Sequence, residues 1–383
     1  MSSKQAIVEI AQSLGFERTV IGSIEPMDAE RKQYERWLEQ GYAAGMEYLK
    51  RNPHFRTSPQ LLYPNSRSAI IVSVSYFTQP PPDPGPRFGR VARYAVGLDY
   101  HPVIRARLRE LKSRIEEKLG RPLIAKAFTD DVALYEQGYA ARHGLGFSGK
   151  NTMIIGPKLS GSYYFIAELF TDLDLDADEP YIGTCGSCFR CGDACPTDAI
   201  TSAGEVDANL CISYLTIENK GEIPFRLRSK IGRWVFGCDI CQEVCPYNQR
   251  PPESPWREFQ PSSGSGHYID LCELISIEND IEFKLRFGDS SPLRRPRRFG
   301  LLRNALVVLG NSLSRSELQD AVVDRLHIIE SLQSFVSREE NPVLIEHAIW
   351  ALAQSADSTL ISGAMLDRVV DPAIRDKFSE YII

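Results

Sequence analysis

The sequence predicts a mixed α/β (α+β) domain over residues 1–175, a compact cysteine-rich domain over 176–250, a linker over 251–294 and an α-helical repeat region over 295–383. Three observations carry this expectation. Helix-period and strand-period segments alternate through the first part, eight of the nine cysteines fall between 185 and 245, and two similar helical segments recur late in the chain.

In the first part, "KQAIVEIAQSLGF" (4–16) and "AERKQYERWLEQGYAAGMEYL" (29–49) repeat apolar residues at helical spacing. "PVIRARLRELKSRIEEKLG" (102–120) is an amphipathic helix closed by Gly120. "SAIIVSVSYF" (68–77) is a β-branched run of strand length, "LIAKAFTDD" (123–131) a strand ending in acidic residues, and "SYYFIAELFTDLDL" (162–175) a further strand. "TQPPPDPGPRFGR" (78–90) is too rich in proline for regular structure and reads as an exposed loop. The acidic link "DADEP" leads into the cysteines, and "PPESPWREFQPSSGSG" (251–266) has linker composition. Beyond 295 the chain turns helical. "RNALVVLGNS" (303–312) and "EHAIWALAQS" (346–355) lie 43 residues apart, an offset within the ~40–47 residues of HEAT and armadillo repeats. A short HEAT-like pair is expected there, with a small helical bundle as the alternative.

Composition narrows the class. With 43% hydrophobic and 25% charged residues the chain is an ordinary globular protein, and a net charge of -6 gives no global reason to bind nucleic acid or an anionic membrane. The start has no unbroken apolar core of a signal peptide, and no run approaches the ~20 apolar residues of a membrane span. A cytoplasmic protein with no membrane association is expected.

The cysteines carry the chemistry. "CGSCFRCGDACP" (185–196) has the spacing C-x2-C-x2-C-x3-C-P of bacterial ferredoxins, in which three cysteines hold one [4Fe-4S] cluster and the fourth serves another. "CDICQEVCP" (238–246) is the same run without its first cysteine, because Val235 stands there. By that exchange, Cys185, Cys188 and Cys191 take Cys245 as fourth ligand, and Cys195 joins Cys238 and Cys241. Cys211 is the remaining cysteine of the region and completes the second set. Two [4Fe-4S] clusters in a ferredoxin-like domain are expected, against zinc or a single degenerate cluster. Cys272 is left over and reads as a buried apolar thiol. Such clusters move single electrons, so a domain of this size before them suggests that they feed a redox centre in the same chain.

Five blocks in this order, "RYAVGLDYHPVI" (93–104), "GLGFSGKNTMII" (144–155), "CGSCFRCGDACPTDAI" (185–200), "CISYLTIENKG" (211–221) and "GCDICQEVCPYN" (237–248), resemble the epoxyqueuosine reductase family. The resemblance runs from near residue 40 to about 250. It implies a cobalamin-dependent iron–sulfur oxidoreductase that reduces epoxyqueuosine to queuosine at the wobble position of tRNA, the last step of queuosine formation. Cobalamin would be reduced by the clusters and electrons would come from an external donor. Loss of the epoxide oxygen as water needs an acid. The resemblance assigns that role to Asp130, followed here by Asp131 where a small residue is usual. Two adjacent buried carboxylates would raise each other's proton affinity; Asp131 is expected to cap the following helix. The positions implied to contact cobalamin are Arg56, Asp130, Ser148, Lys150, Asn151 and Ser213. No Asp-x-His-x-x-Gly run is present to supply a histidine to cobalt, and "LDYHPV" does not fit, which implies base-off cobalamin. Ala92 stands where some members carry cysteine, so a thiol there is not required.

A tRNA substrate needs a basic surface. "SPLRRPRRFGLLR" (291–303) offers Arg294, Arg295, Arg297, Arg298 and Arg303 to track phosphates of the anticodon stem-loop. Tyr163, Tyr164 and Phe165 read as core strand residues, not base platforms. The chain is expected to act as a monomer. The competing readings are a cobalamin-dependent reductive dehalogenase and an electron carrier without catalysis of its own.

Overall fold

The computed structural model describes residues 3–157, 160–202, 204–314, 322–355 and 357–379. The chain forms two compact units, each assembled from separated stretches. The first takes residues 1–79, 97–209 and 239–264, and the second takes 80–96, 210–238 and 265–383.

The first unit is built on four strands, β1 (Arg18–Ser23), β2 (Ser68–Ser75), β3 (Ala125–Phe128) and β4 (Tyr164–Thr171). Their order is β1-β2-β4-β3 and every neighbouring pair is antiparallel, so the mixed fold is of the α+β kind. β2 is buried at all of its positions, which explains its β-branched run without alternation. Two helices bear on the site, α2 (Tyr100–Leu119) and α3 (Glu136–Arg142), and α1 (Ser3–Ser13) packs against β1 and α2. The Asp99 side chain accepts the His101 N–H at the start of α2, and Gly120 closes it in the left-handed region at φ +67°. Ile104, Leu108, Leu111 and Ile115 form its buried stripe. On the other face of the sheet, Tyr139 and Ala140 of α3 join Val20, Ala69, Ile71, Phe128 and Phe170 in one core.

Several expectations change here. The helical pattern of 29–49 yields a helix only over Asp28–Glu39, because Gly41 turns the chain at φ +73°; a short helix over Glu47–Lys50 follows. β1 has too few residues between Gly15 and Gly22 to show a period in the sequence. The residues expected as a loop over 78–90 are irregular only as far as Arg87, and Phe88–Val91 is a strand of the second unit. The stretch 251–294, expected as a linker, is structured. Trp256 and Phe259 are buried, with Phe16 edge-on to Trp256, and a strand Tyr268–Asp270 leads into helices Leu271–Ile275 and Asp280–Phe287. Proline, serine and glycine hid the aromatic anchors from a reading by composition.

In the second unit, Phe88–Val91 is the middle strand between Trp234–Phe236, parallel to it, and Tyr268–Asp270, antiparallel. Three helices follow, α4 (Arg297–Leu313), α5 (Val322–Arg338) and α6 (Pro342–Ala353). α4 is buried from Gly300 to Leu313 and is the central helix of the unit. The two similar segments found in the sequence lie on α4 and α6, which pack together. Gly310 permits the approach: a Cβ there would meet Trp350 Cζ3 at 2.6 Å and Ala351 Cα at 2.9 Å.

Candidate active site

The carboxylate expected to act as the acid sits on a short loop between β3 and α3. Asp130 adopts φ +51°, a left-handed conformation that aspartate tolerates better than most residues. Its Oδ2 accepts the hydroxyl of Tyr100 at 2.6 Å, and Nε2 of His101 stands 4.0 Å away. The Tyr100 ring is stacked on Phe165 at 4.3 Å and on His101 at 4.1 Å, which fixes the phenol. His101 is fixed in turn by Asp99, whose Oδ1 accepts its backbone N–H at 3.0 Å and lies 2.7 Å from its Nδ1. An ionised carboxylate only accepts, so Nδ1 carries hydrogen and Nε2 faces Asp130. Burial works against ionisation of Asp99, but its bonds to His101 and the pull of His101 and Arg105 outweigh it and lower its pKa.

The adjacent carboxylates are not the buried pair expected. The Asp130 side chain is 70% exposed. Asp131 does not cap α3, which starts at Glu136 without a side-chain cap; its Oδ1 accepts the Thr129 N–H at 3.0 Å and its Oδ2 pairs with Arg105 at 2.8 Å. Asp131 therefore closes the turn that presents Asp130. Near the loop, Glu168 is fully buried and Glu136 half-buried, and both carboxyls are raised well above the usual range, first by burial and then by neighbouring acids. Sequence reasoning passed over Tyr100, His101 and both glutamates. The "DYH" triplet inside a block already singled out, and a glutamate in an otherwise apolar strand, were the available signals.

The cysteine segments of the first unit turn on short helices. Arg190–Asp193 carries Cys191 and Ile240–Glu243 carries Cys241. Burial raises the thiols of Cys191 and Cys245, and Cys185 adds to both while Cys188 adds to Cys245. Those four thiols thus act on one another although Cys245 is remote in sequence. Cys195 Sγ accepts the Ala199 N–H at 3.3 Å. Cys211, at the start of the helix Ile212–Ile217, and Cys238 belong to the second unit. No disulfide joins any of the nine cysteines, and Cys272 is buried as expected, its pKa pushed up to about 11 by burial. Among the described residues no three His, Cys, Asp or Glu side chains close on one point as a mononuclear ion requires; a cubane spreads its thiolates over separate corners.

The remaining positions divide. Strands Phe147–Ser148 and Ile154–Ile155 form a hairpin whose turn holds Lys150 and Asn151. Lys150 Nζ donates to Gly186 O at 2.8 Å and Asn151 Nδ2 to Cys241 O at 3.2 Å, so both fasten the turn to cysteine segments. Ser148 is exposed. Arg56 donates to Tyr48 O at 3.0 Å, and its own carbonyl accepts the Tyr135 N–H at 2.8 Å, beside α3. Its Nε, with Ser58 Oγ and Gln60 Oε1, is buried without a hydrogen-bond partner. Ser213 lies in Ile212–Ile217 of the second unit.

The basic run separates into surface and core. Arg303 does not track phosphates: it is 0% exposed, donates to Leu215 O at 2.7 Å and Asn219 O at 2.9 Å, and burial lowers its pKa to about 10. Arg298 is committed to Glu339 at 2.8 Å with a side chain 13% exposed. Arg294 pairs with Asp289 and Arg295 with Glu218, the latter at 2.7 Å and 60% exposed. Arg297 is exposed at the start of α4. Tyr163, Tyr164 and Phe165 are buried core residues, as read from the sequence.

An α+β unit presenting an acid, in a chain with cysteines spaced for paired clusters, defines an iron–sulfur oxidoreductase. The family model for a 4Fe-4S double cluster binding domain matches residues 184–248, and that of "Epoxyqueuosine reductase QueG, DUF1730" matches 56–131. The epoxyqueuosine reductase of Pseudomonas aeruginosa is 36% identical over 92% of this chain and 95% of its own, and that of Escherichia coli 33% over 92% and 89%. A crystal structure of epoxyqueuosine reductase with an epoxyqueuosine-modified tRNA-Tyr stem loop superposes with TM-score 0.84 at 28% identity, covering 99% of this chain and 97% of that one. A Bacillus subtilis structure, described with its aspartate catalytic loop swung out of the active site, gives TM-score 0.86 at 28% identity over 99% and 98%. The chain belongs to the epoxyqueuosine reductase family. Among the described residues no helix is long and apolar enough to cross a membrane.

Proposed function

We propose that this chain reduces epoxyqueuosine to queuosine in tRNA, with Asp130 as the proton donor. The observation that carries the reading is the Asp130 carboxylate, open to solvent on one side and held at 2.6 Å by Tyr100 on the other, in a chain of this family.

Reducing an epoxide to an alkene takes up two electrons and two protons and releases the oxygen as water. Asp130 gives a proton to the departing oxygen, and the Tyr100 hydroxyl steadies the carboxylate left behind. His101, oriented by Asp99, holds its Nε2 4.0 Å from the same Asp130 oxygen that Tyr100 binds. The eight cysteines of 185–245 would hold two [4Fe-4S] clusters, which carry single electrons; the mutual influence of Cys185, Cys188, Cys191 and Cys245 supports the first set. Cobalamin, when bound, supplies a strongly reducing cobalt centre. The unpartnered buried atoms of Arg56, Ser58 and Gln60 fit a ligand rich in amide and phosphate groups, and Ser148, Lys150, Asn151 and Ser213 are further candidates to hold it, base-off and without a protein histidine. Arg295 and Arg297, with Arg294 beside them, remain the candidates for binding phosphates. The packed pair α4 and α6 supports reading the tail as HEAT-like. A tRNA substrate implies a cytoplasmic enzyme served by an external electron donor, and a monomer meets these needs.

Anaerobic reconstitution with iron, sulfide and cobalamin, followed by nucleoside analysis of epoxyqueuosine-bearing tRNA, tests the reading. Queuosine is expected; intact epoxyqueuosine in the presence of full clusters and a competent reductant would refute it.

A further inference from the structure

Two adjacent carboxylates meet two successive turns of one helix. Asp130 Oδ2 accepts the hydroxyl of Tyr100 at the start of α2, and Asp131 Oδ2 accepts Arg105 Nη1 at 2.8 Å, about one turn further on. Arg105 is itself tied to the first turn, its Nε donating to His101 O at 3.1 Å. One guanidinium therefore reaches from the helix that carries Tyr100 and His101 to the loop that carries Asp130.

The loop needs such a hold for two reasons. Thr129 is 0% and Leu134 5% exposed, so both are fixed by packing, whereas the side chains of Asp130 and Asp131 between them are 70% and 27% exposed. Asp130 has φ +51°, a left-handed conformation that a residue other than glycine keeps only where its surroundings enforce it. Glu136 Oε1 holds the Asp130 N–H at 2.6 Å from the side of α3. From the side of α2, Asp131 closes the turn on the Thr129 N–H with one oxygen and keeps the other for Arg105. The second reason is chemical. To protonate the departing oxygen the Asp130 carboxyl turns away from Tyr100, so that bond is given up when position matters most. A contact made by the next residue, which takes no part in the transfer, persists through it.

We propose that Arg105 is a positioning residue for the reduction: through Asp131 it fastens the acid's loop to α2 and keeps Asp130 presented while its carboxyl leaves Tyr100. This rests on the functional reading above and deepens it. It also gives a reason for Asp131 in place of the small residue usual after the acid, since a small residue offers Arg105 no carboxylate. The guanidinium suits the task because it stays charged at every working pH.

The test is single-turnover reduction of an epoxyqueuosine-bearing stem-loop at saturation by reconstituted wild type, Arg105→Gln and Asp131→Asn. The Arg105 side chain is 44% exposed, and asparagine can still accept the Thr129 N–H, so both variants are expected to fold. Each is expected to be slower by about tenfold, less than the ~100-fold that misplacing a reacting group by about 1 Å costs, with stem-loop affinity and iron content unchanged. The double variant should be no slower than either single one, and Arg105→Gln should add no slowing to Asp130→Asn, because each acts through the same carboxyl. Hydrogen exchange of the amides of 129–134, followed without stem-loop, should be faster in Arg105→Gln by about fivefold, the upper range for a partly exposed ion pair. Wild-type rates in both single variants overturn the proposal, as does a slowing that adds in full to Asp130→Asn. A slowing accompanied by weaker stem-loop binding and unchanged loop exchange also overturns it and makes Arg105 a phosphate contact. A wild type that forms no queuosine refutes the functional reading and the catalytic role of Arg105 with it, while faster loop exchange in Arg105→Gln would still uphold the anchoring and unchanged exchange would overturn that too.

Discussion

The Tyr100 hydroxyl donates to Asp130 Oδ2 at 2.6 Å, and the same ring is stacked on Phe165 at 4.3 Å. The strand that buries Phe165 thereby fixes the donor that steadies the acid's conjugate base. Tyr100→Phe keeps the stack and removes only the hydroxyl. We expect a single-turnover rate lower by about tenfold, the worth of one hydrogen bond to a charged group, with stem-loop affinity unchanged.

Stability should depend on pH through the second unit. Glu346, with a side chain 7% exposed, takes Arg228 at 2.7 Å and 3.0 Å on its two oxygens. Burial alone would raise its pKa, but bonds from His347 and Arg228 bring it down to about 2, against 4.5 for an ordinary glutamate. The unfolded chain thus binds this proton first as pH falls. The contribution, about 3 kcal/mol, is fully present above pH 4.5 and is lost on acidification toward about 2. Denaturant unfolding at a series of pH values is expected to show that loss, and Arg228→Met to cost about 3–5 kcal/mol near neutrality by leaving the carboxylate buried and unpaired.

The thiols divide by role. Cys191→Ala and Cys245→Ala should each remove about half of the iron, since one cluster of two loses a ligand. Cys211→Ala tests the second set in the same way. Cys272→Ala, a change at a thiol 4% exposed, should leave the iron content as it is. Iron and sulfide analysis after anaerobic reconstitution reads all four.

The arginines divide as well. Alanine at Arg295 and Arg297 should flatten the dependence of stem-loop affinity on salt, by about one unit of slope for each phosphate that is no longer neutralised. Arg303→Ala should act on folding instead, costing about 3 kcal/mol or more as carbonyls of Leu215 and Asn219 lose a charged donor.

Much of this was legible in the sequence where a single local rule decides. The run of β2, the closure of α2 by Gly120 and the paired cysteine spacings each rest on one such rule. Positions set by tertiary context were not. Arg303 lies in a run of arginines that looks like a surface, yet α4 is buried from Gly300 onward and turns it inward. Trp256 and Phe259 sit among linker residues but anchor the first unit. Asp131 looks like a helix cap, but four residues separate it from Glu136 and it binds backward to Thr129. Glu168 reads as one acid in an apolar strand, and only strand register shows it under the Asp130 loop.

The central claim is that Asp130 is the acid for reduction of epoxyqueuosine, and the most direct measurement is queuosine formed in a single turnover by reconstituted Asp130→Asn beside wild type. With both clusters, cobalamin and the stem-loop bound equally in the two proteins, the account expects the variant to be slower by about 10²–10⁴-fold. Queuosine formed by Asp130→Asn at the wild-type rate would contradict it.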